Sequence, residues 1–432
     1  MKTEVFYEED RMRIALIPED DDNLVPSEKY RMFQREFSVS LPEGVKDIHP
    51  DLVALATMLV VNPFVGNRLV PPLKVSSRFQ IAANSVLSRY KISDHVDPLL
   101  SPREQPSTSI PMLAFSGGVD STAALSVMPK NTVSIFMDRP LKGKSLYNPQ
   151  AAHLAVESLK EIGYVSESVQ CDLEYVRHPV GFPTDLSNGV PALLLADYFN
   201  ASSIAFGTVL ESAYGIGHER YRDYPIGAHY TFYSTLFNAV GLHLSLPMAG
   251  VSEVGTAMIV EKSPIGFVAQ SCIRGTMNNP CLKCWKCFRK ATLGRALDLD
   301  SGSPATISSL LSREVKSKLL AYPISHENVV AFSMRRYPRE EIDADDSRIL
   351  DGLLERVKGI SDLAFLTRWY KPSQILVHSS WREDFTHKIL EFLEVMPPKE
   401  TSEIESWSMA SFLADPSTVS AHDQLEELFD EP

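Results

Sequence analysis

Apolar and polar positions change rhythm twice along this chain, and the changes divide it into three regions. In residues 1–105, short pieces alternate apolar with polar residues ("EVFY", "MRIALI", "REFSVSL"), as strands do, and one apolar run, "HPDLVALATMLVV", reads as a buried helix. The polar, proline-bearing "SPREQPSTS" closes the region as a linker. Residues 106–298 run strand, helix, strand, helix. "MLAF" reads as a short buried strand and "VDSTAALSVM" as a helix stopped before Pro129. "TVSIFMD" is the next strand, and "PQAAHLAVESLKEIG" is a helix ending at Gly163. "VSESVQC", the helix-like "NGVPALLLADYFNA" with Pro191 in its first turn, and "SIAFGTV" continue the alternation. Residues 299–432 turn helical and acidic, with "SREVKSKLLAY", "DDSRILDGLLERVKGI", "REDFTHKILEFLEVM" and a final "HDQLEELFDEP". Strands alternating with helices of this length need a parallel sheet and right-handed crossovers. The expected class is α/β: a central parallel sheet with helices on both faces, an α+β N-terminal region and a mainly helical C-terminal region.

Composition narrows the setting. A chain of 432 residues exceeds one ordinary core, and 44% apolar with 22% charged residues is the balance of a globular protein. The first residues mix acids among apolar positions, so no secretory leader is expected. The run "LVALATMLVV" is about half the length of a membrane span. A cytoplasmic protein without membrane attachment is therefore expected. The formal charge of −13 argues against an extended nucleic-acid surface.

Chemistry enters at "MLAFSGGVDSTAAL". Ser116, Gly117 and Gly118 fall where a buried strand ends and a helix begins, the end of an α/β sheet where ligands sit. Two glycines allow a tight bend that brings bare N–H groups close to an anion. The helix start adds orphan donors and a positive dipole end, and Ser116, Ser121 and Thr122 add hydroxyls. The bend reads as a phosphate cradle, against the plainer alternative of an ordinary Ser/Gly turn. It has neither the Gly-Lys-Ser/Thr ending of a Walker loop nor a G-x-G-x-x-G pattern.

The pattern resembles the S-G-G-x-D-S signature of the PP-loop ATP pyrophosphatase superfamily. That resemblance implies a PP-loop core in which the loop grips the β- and γ-phosphates of ATP, so that attack falls on the α-phosphorus and pyrophosphate leaves. It implies ATP contacts at Phe115, Ser116, Gly117, Gly118, Val119, Asp120, Ser121 and Thr122, with Ser116, Asp120 and Ser121 catalytic and Asp120 ordering the loop or holding Mg²⁺. Asp138, Gly207 and Thr208 end neighbouring strands on the same rim and join the set, although each is equally explained as strand-end chemistry.

Four of the five cysteines, Cys272, Cys281, Cys284 and Cys287, follow C-x8-C-x2-C-x2-C. Four thiolates complete a tetrahedral Zn²⁺ shell and leave no open position, which makes a structural site. A disulfide pair suits a reducing compartment poorly. An iron–sulfur cluster is the sharper rival, although no cysteine follows Cys287. Glycine loop and cysteine spacing together resemble 7-cyano-7-deazaguanine synthase over roughly residues 110–298. The resemblance implies ATP-dependent adenylation of 7-carboxy-7-deazaguanine, displacement of AMP by ammonia to give an amide, and a second round to the nitrile. The family's tyrosine-proline-aspartate-cysteine-arginine stretch is missing. In its place stands "ESAYGIGHERYRDYPIGAHYTFY", a polar, aromatic loop offering Glu211, His218, Glu219, Arg220 and Asp223 as substrate contacts. The long flanks look more like relatives found in anti-phage operons of the Qat type, which implies a partner protein from the same operon as acceptor of the deazapurine. Six basic residues and no acid between Ile273 and Leu297 (Arg274, Lys283, Lys286, Arg289, Lys290, Arg295) form a positive island or a solvated helix face. Trp285 and Cys171 read as packing residues. Two other classes stay open: a sulfur-transferring RNA-modifying enzyme of the same superfamily, which the acidic balance weakens, and a non-catalytic nucleotide-binding subunit whose outer domains scaffold a complex.

Overall fold

The computed structural model describes residues 1–430 apart from 46, 93, 94, 108, 109, 144, 219, 300–304, 340 and 341. Strands β1 (Lys2–Tyr7), β2 (Arg11–Ile17) and β3 (Glu36–Ser40) pair antiparallel in that order. Period-2 alternation turns Met12, Ile14 and Leu16 of β2, with Phe37 and Val39 of β3, into the core. Helix α1 (Pro50–Val61) is buried from Asp51 to Val61, as an all-round apolar helix requires. No helix among the described residues is long and apolar enough to cross a membrane.

The central sheet follows. Strand β4 (Ile110–Phe115) leads to α2 (Val119–Val127), then β5 (Val133–Asp138), α3 (Gln150–Glu161) and β6 (Val165–Gln170). The chain next passes α4 (Val190–Leu194), β7 (Ala201–Ala205), α5 (Leu210–Tyr214), α6 (Ala228–Ala239) and β8 (His243–Ser245). These five strands pair in the order β8-β7-β4-β5-β6, every pair parallel. Alternate residues feed opposite layers. Met112, Ala114 and Ile135 enter one core together with α1 and α4. Leu113, Phe115 and Phe136 enter a second with Leu125 of α2 and Leu159 of α3. The chain is thus α/β, with its parallel sheet covered on both faces.

Among the further helices, those that matter for the site and its cores are α7 (Glu253–Lys262), α8 (Trp285–Ala296), α9 (Glu327–Arg336), α10 (Ala344–Arg356), α11 (Arg382–Leu390) and α12 (Pro416–Asp430). Phe288 of α8, Met334 of α9, Leu350 of α10 and Leu425 of α12 share a third core. Trp369, Trp381 and Phe385, by contrast, pack into the second core beneath the sheet.

Two helices are shorter than their patterns predict. The helix expected over 188–201 lasts only from Val190 to Leu194. The chain then turns back: Asn200 takes a left-handed conformation (φ 51°) and the Ala201 N–H reaches the Ala196 carbonyl at 2.8 Å. The helix expected through Met396 stops at Leu390. Beyond it, Trp369 donates to the Glu394 carbonyl (2.8 Å) and Met396 donates to that of Trp369 (3.0 Å), which draws the segment into a parallel pairing.

Candidate functional site

Chain order reverses between β4 and β7, so the carboxyl ends of these two neighbours open a crevice. The glycine loop lies there. Gly117 has φ +71°, and a Cβ on it would stand 3.3 Å from the Ala152 Cα on α3. Ser121 fastens the bend: its Oγ accepts the Ser116 N–H (3.2 Å), donates to the Gly118 carbonyl (3.1 Å) and lies 3.1 Å from the Ser116 Oγ. Gly118 is the N-cap of α2 and supplies no side-chain cap. The first-turn amides therefore lack intrahelical acceptors and point the positive dipole end outward. Thr122 Oγ1 is buried without a partner. From the other strand, Gly207 closes on the loop: a Cβ there would meet the Asp120 backbone and the Ser121 nitrogen at 3.1 Å.

A cavity of about 680 Å³ opens at this point. Ser116, Asp120, Ser121, Gly207 and Thr208 line it, joined by Phe182, His218, Arg222, Glu253, Lys286, Arg289 and His326. The structure thus gathers most of the expected loop and strand-end residues around one space. Phe115 is buried in the second core, and Val119 lines a neighbouring cavity of about 620 Å³ beside Cys272. Asp138 stands apart at the end of β5, its carboxylate 3.1 Å from His153 Nε2.

Charge is organised around Asp120 and Glu253. Asp120 Oδ1 accepts the Thr256 hydroxyl (2.8 Å) and lies 3.8 Å from Lys290 Nζ. Glu253, at the start of α7, bonds Arg289 Nη1 and lies 3.4 Å from Lys290 Nζ and 3.1 Å from His326 Nδ1. Burial alone would raise its pKa. Lys290, Arg289 and His326 outweigh that and hold it well below the usual carboxylate range. Behind it, Glu211 is wholly buried and accepts the Glu253 N–H (3.2 Å) and Asn328 Nδ2 (3.2 Å). Burial first, then the Glu253 charge, push its pKa up to about 8. Two adjoining carboxyls are thereby split, one ionised and one protonated near neutrality.

Of the residues expected as loop contacts, His218 lines the cavity, and burial lowers its pKa. Glu211 is instead the buried support of Glu253. Arg220 and Asp223 are exposed, the Arg220 backbone pairing with Ser408, and Glu219 lies outside the described residues. The basic residues of 273–297 do not form one surface island. Arg274 pairs with Glu314 (2.7 Å), Arg289 and Lys290 turn inward to Glu253, and Arg295 lies over the Tyr337 ring. Pattern reading missed Glu253, His326 and Asn328. Ser252 followed by Glu253 reads only as a helix start, and their partners come from distant segments.

The four cysteine sulfurs lie within 4.8 Å of one another, with Cys281–Cys287 at 3.8 Å and Cys284–Cys287 at 3.5 Å. A tetrahedron with metal–sulfur arms of ~2.3 Å has edges of ~3.8 Å, so the group could hold one metal ion. The Cys281 N–H also donates to Cys272 Sγ (3.3 Å). Glu314 braces the segment by accepting the Trp285 N–H at the start of α8 (3.1 Å). The Gln270 N–H, two residues before Cys272, donates to the Gly117 carbonyl (2.7 Å) and ties metal segment to loop. Trp285 stacks on Phe288, and Cys171 is buried, which raises its thiol pKa.

A model described as "Family of unknown function (DUF6395)" matches residues 233–408, under half of the chain. The matched stretch holds the four cysteines, Glu253 and His326, while the glycine loop lies outside it. No curated protein and no solved structure matches the chain.

Proposed function

We propose that the chain adenylates a carboxylate with ATP, releases pyrophosphate, and passes the activated acyl group to an amine. The observation that carries this reading is the glycine loop opening, with bare first-turn amides, onto a cavity lined by Lys286, Arg289 and Arg222. The first-turn amides of α2 and the Ser116 hydroxyl hold the outer two phosphates, on a bend that Ser121 fastens. A carboxylate oxygen then attacks the inner one, and the charge gathering on departing pyrophosphate meets Arg289 and the α2 dipole. Glu253 keeps Arg289 and Lys290 aimed. Asp120, 39% exposed at the cavity wall, is the carboxylate for Mg²⁺, whose chemistry is to neutralise phosphate charge. The cysteine group takes Zn²⁺, held as a clamp with no open position. In keeping with the resemblance of its motifs to 7-cyano-7-deazaguanine synthase, the carboxylate is of the 7-carboxy-7-deazaguanine class, and the product is an amide, a nitrile or a deazapurine joined to a partner protein, the last suited to anti-phage defence in the cytoplasm. A sulfur-transferring enzyme acting on RNA would need a broad outward basic face, whereas here Arg289 and Lys290 turn inward beside Glu253 and Arg274 is paired with Glu314.

The test is incubation with ATP, Mg²⁺ and 7-carboxy-7-deazaguanine, scored for AMP and pyrophosphate. Ser116→Ala and Asp120→Ala should each lower AMP formation by roughly 10²–10³-fold with the circular dichroism spectrum retained. Cleavage of ATP to ADP, or full activity in both variants, would sink the reading.

A further inference from the structure

Three more residues on the cavity wall have no task in nucleotide binding: Asp185, Tyr224 and His229. They come from separate pieces of chain. Asp185 lies in the loop before α4, Tyr224 opens a short turn of 3-10 helix (Tyr224–Ile226), and His229 is in the first turn of α6. Asp185 Oδ2 stands 3.2 Å from His229 Nε2, and the Tyr224 hydroxyl stands 2.9 Å from His229 Nδ1. The His229 hydrogen bond lowers the Asp185 pKa, so this carboxylate only accepts. The network then places the imidazole proton on Nε2 and leaves Nδ1 to accept the phenol O–H. Tyr224 is 5% exposed, and burial pushes its pKa up, so it stays protonated and can pass a proton along without dwelling as phenolate. His229 is held edge-on against Tyr233, ring centres 4.9 Å apart.

We propose that Asp185, His229 and Tyr224 form the proton relay of the second half-reaction, in which an amine displaces AMP; this rests on the adenylation reading. An amine arrives in neutral water as an ammonium ion, with no lone pair to attack. The Tyr224 oxygen takes one ammonium proton as its own hydrogen moves to His229 Nδ1, and Asp185 holds the resulting imidazolium. The freed amine attacks the acyl carbon. A C–N bond forms, the bond from the acyl carbon to the AMP oxygen breaks, and AMP leaves with that electron pair and the second nitrogen proton. Tyr224 is the catalytic residue, and His229 and Asp185 act through it.

The experiment compares wild type with Tyr224→Phe and His229→Gln, using 7-carboxy-7-deazaguanine, ATP and Mg²⁺ with either ammonium chloride or hydroxylamine. Hydroxylamine is largely a free base at neutral pH and needs no relay. Both variants should keep carboxylate-dependent exchange of pyrophosphate into ATP and keep hydroxamate formation, while amide formation from ammonium falls roughly 10²–10⁴-fold. Wild-type amide formation in the variants would overturn the relay. Loss of exchange in the variants would also overturn it, because that marks a structural role. Absence of exchange in the wild type would overturn the adenylation reading itself, and the relay with it.

Discussion

A carboxyl group sealed from water beside another carboxylate keeps its proton, and Glu211 is in that position. Its partners are the Glu253 N–H and Asn328, neither of them a cation. The pKa rises from 4.5 to about 8. Below the unfolded value both states hold the proton and the stability it brings is fully present. As pH climbs from 4.5 toward 8 only the folded state keeps it, so stability is lost across that window. Glu253 titrates below the window, because its cations hold it ionised. The wild-type melting temperature should therefore fall between pH 4.5 and about 8, and Glu211→Gln, which keeps an acceptor for the Glu253 amide, should flatten that fall. Parallel slopes for the two proteins would show that Glu211 does not titrate there. The pair also marks what sequence could and could not disclose. That Ser116, Asp120 and Ser121 share one cavity wall was legible, because one contiguous loop carries all three. Glu253 and His326 were not, because each acquires its character from residues that only folding brings near.

Helix α8 is short of reasons to form by itself. Cys284 caps it without a side-chain bond, and its first turn holds no acid of its own. What holds it are the sulfurs on either side of its start, Glu314 against the Trp285 N–H, and the third core. A metal joining Cys272 to Cys287 would fasten one end of this element to the strip that reaches the glycine loop through Gln270. Removing the ion with a chelator, or substituting Cys284→Ser, should lower the melting temperature by several degrees and weaken ATP binding, because Lys286 and Arg289 ride on the same turns. Metal analysis should find one ion per wild-type chain. Unchanged melting of a metal-free sample would remove the structural role. Elements of this kind were legible as spacing, and so was the strand–helix alternation, since buried parallel strands are nearly continuous apolar runs. Helix ends were less so. Leu195 to Ala201 and Phe392 to Met396 read as helix by composition; a local turn closing at left-handed Asn200 diverted the first, and pairing with distant Trp369 diverted the second.

At the scale of the molecule, the sheet does not close its own faces. Beneath β4 and β5 the second core is completed by Trp369, Val377, Trp381, Phe385 and Ile389, all buried and all more than 110 residues beyond the last strand of the sheet. Fully burying a large apolar side chain contributes roughly 1.5–3 kcal/mol. Five of them together amount to about the whole net stability of an ordinary domain, roughly 5–15 kcal/mol. The cavity depends on the same region, because His326 reaches Glu253 from α9's N-cap and Asn328 reaches Glu211 from its first turn. A chain ended at residue 298 would keep the glycine loop and the four cysteines yet expose that apolar floor and leave Glu253 without its His326 partner. It should be recovered as aggregate, or as a species that binds a hydrophobic dye and lacks a cooperative melt, and it should not retain ATP on a filter. A monodisperse, cooperatively melting fragment that binds ATP would mean that the sheet and its loop stand without the C-terminal helices, and that the buried tryptophans serve some purpose other than holding the glycine-loop end of the sheet in shape.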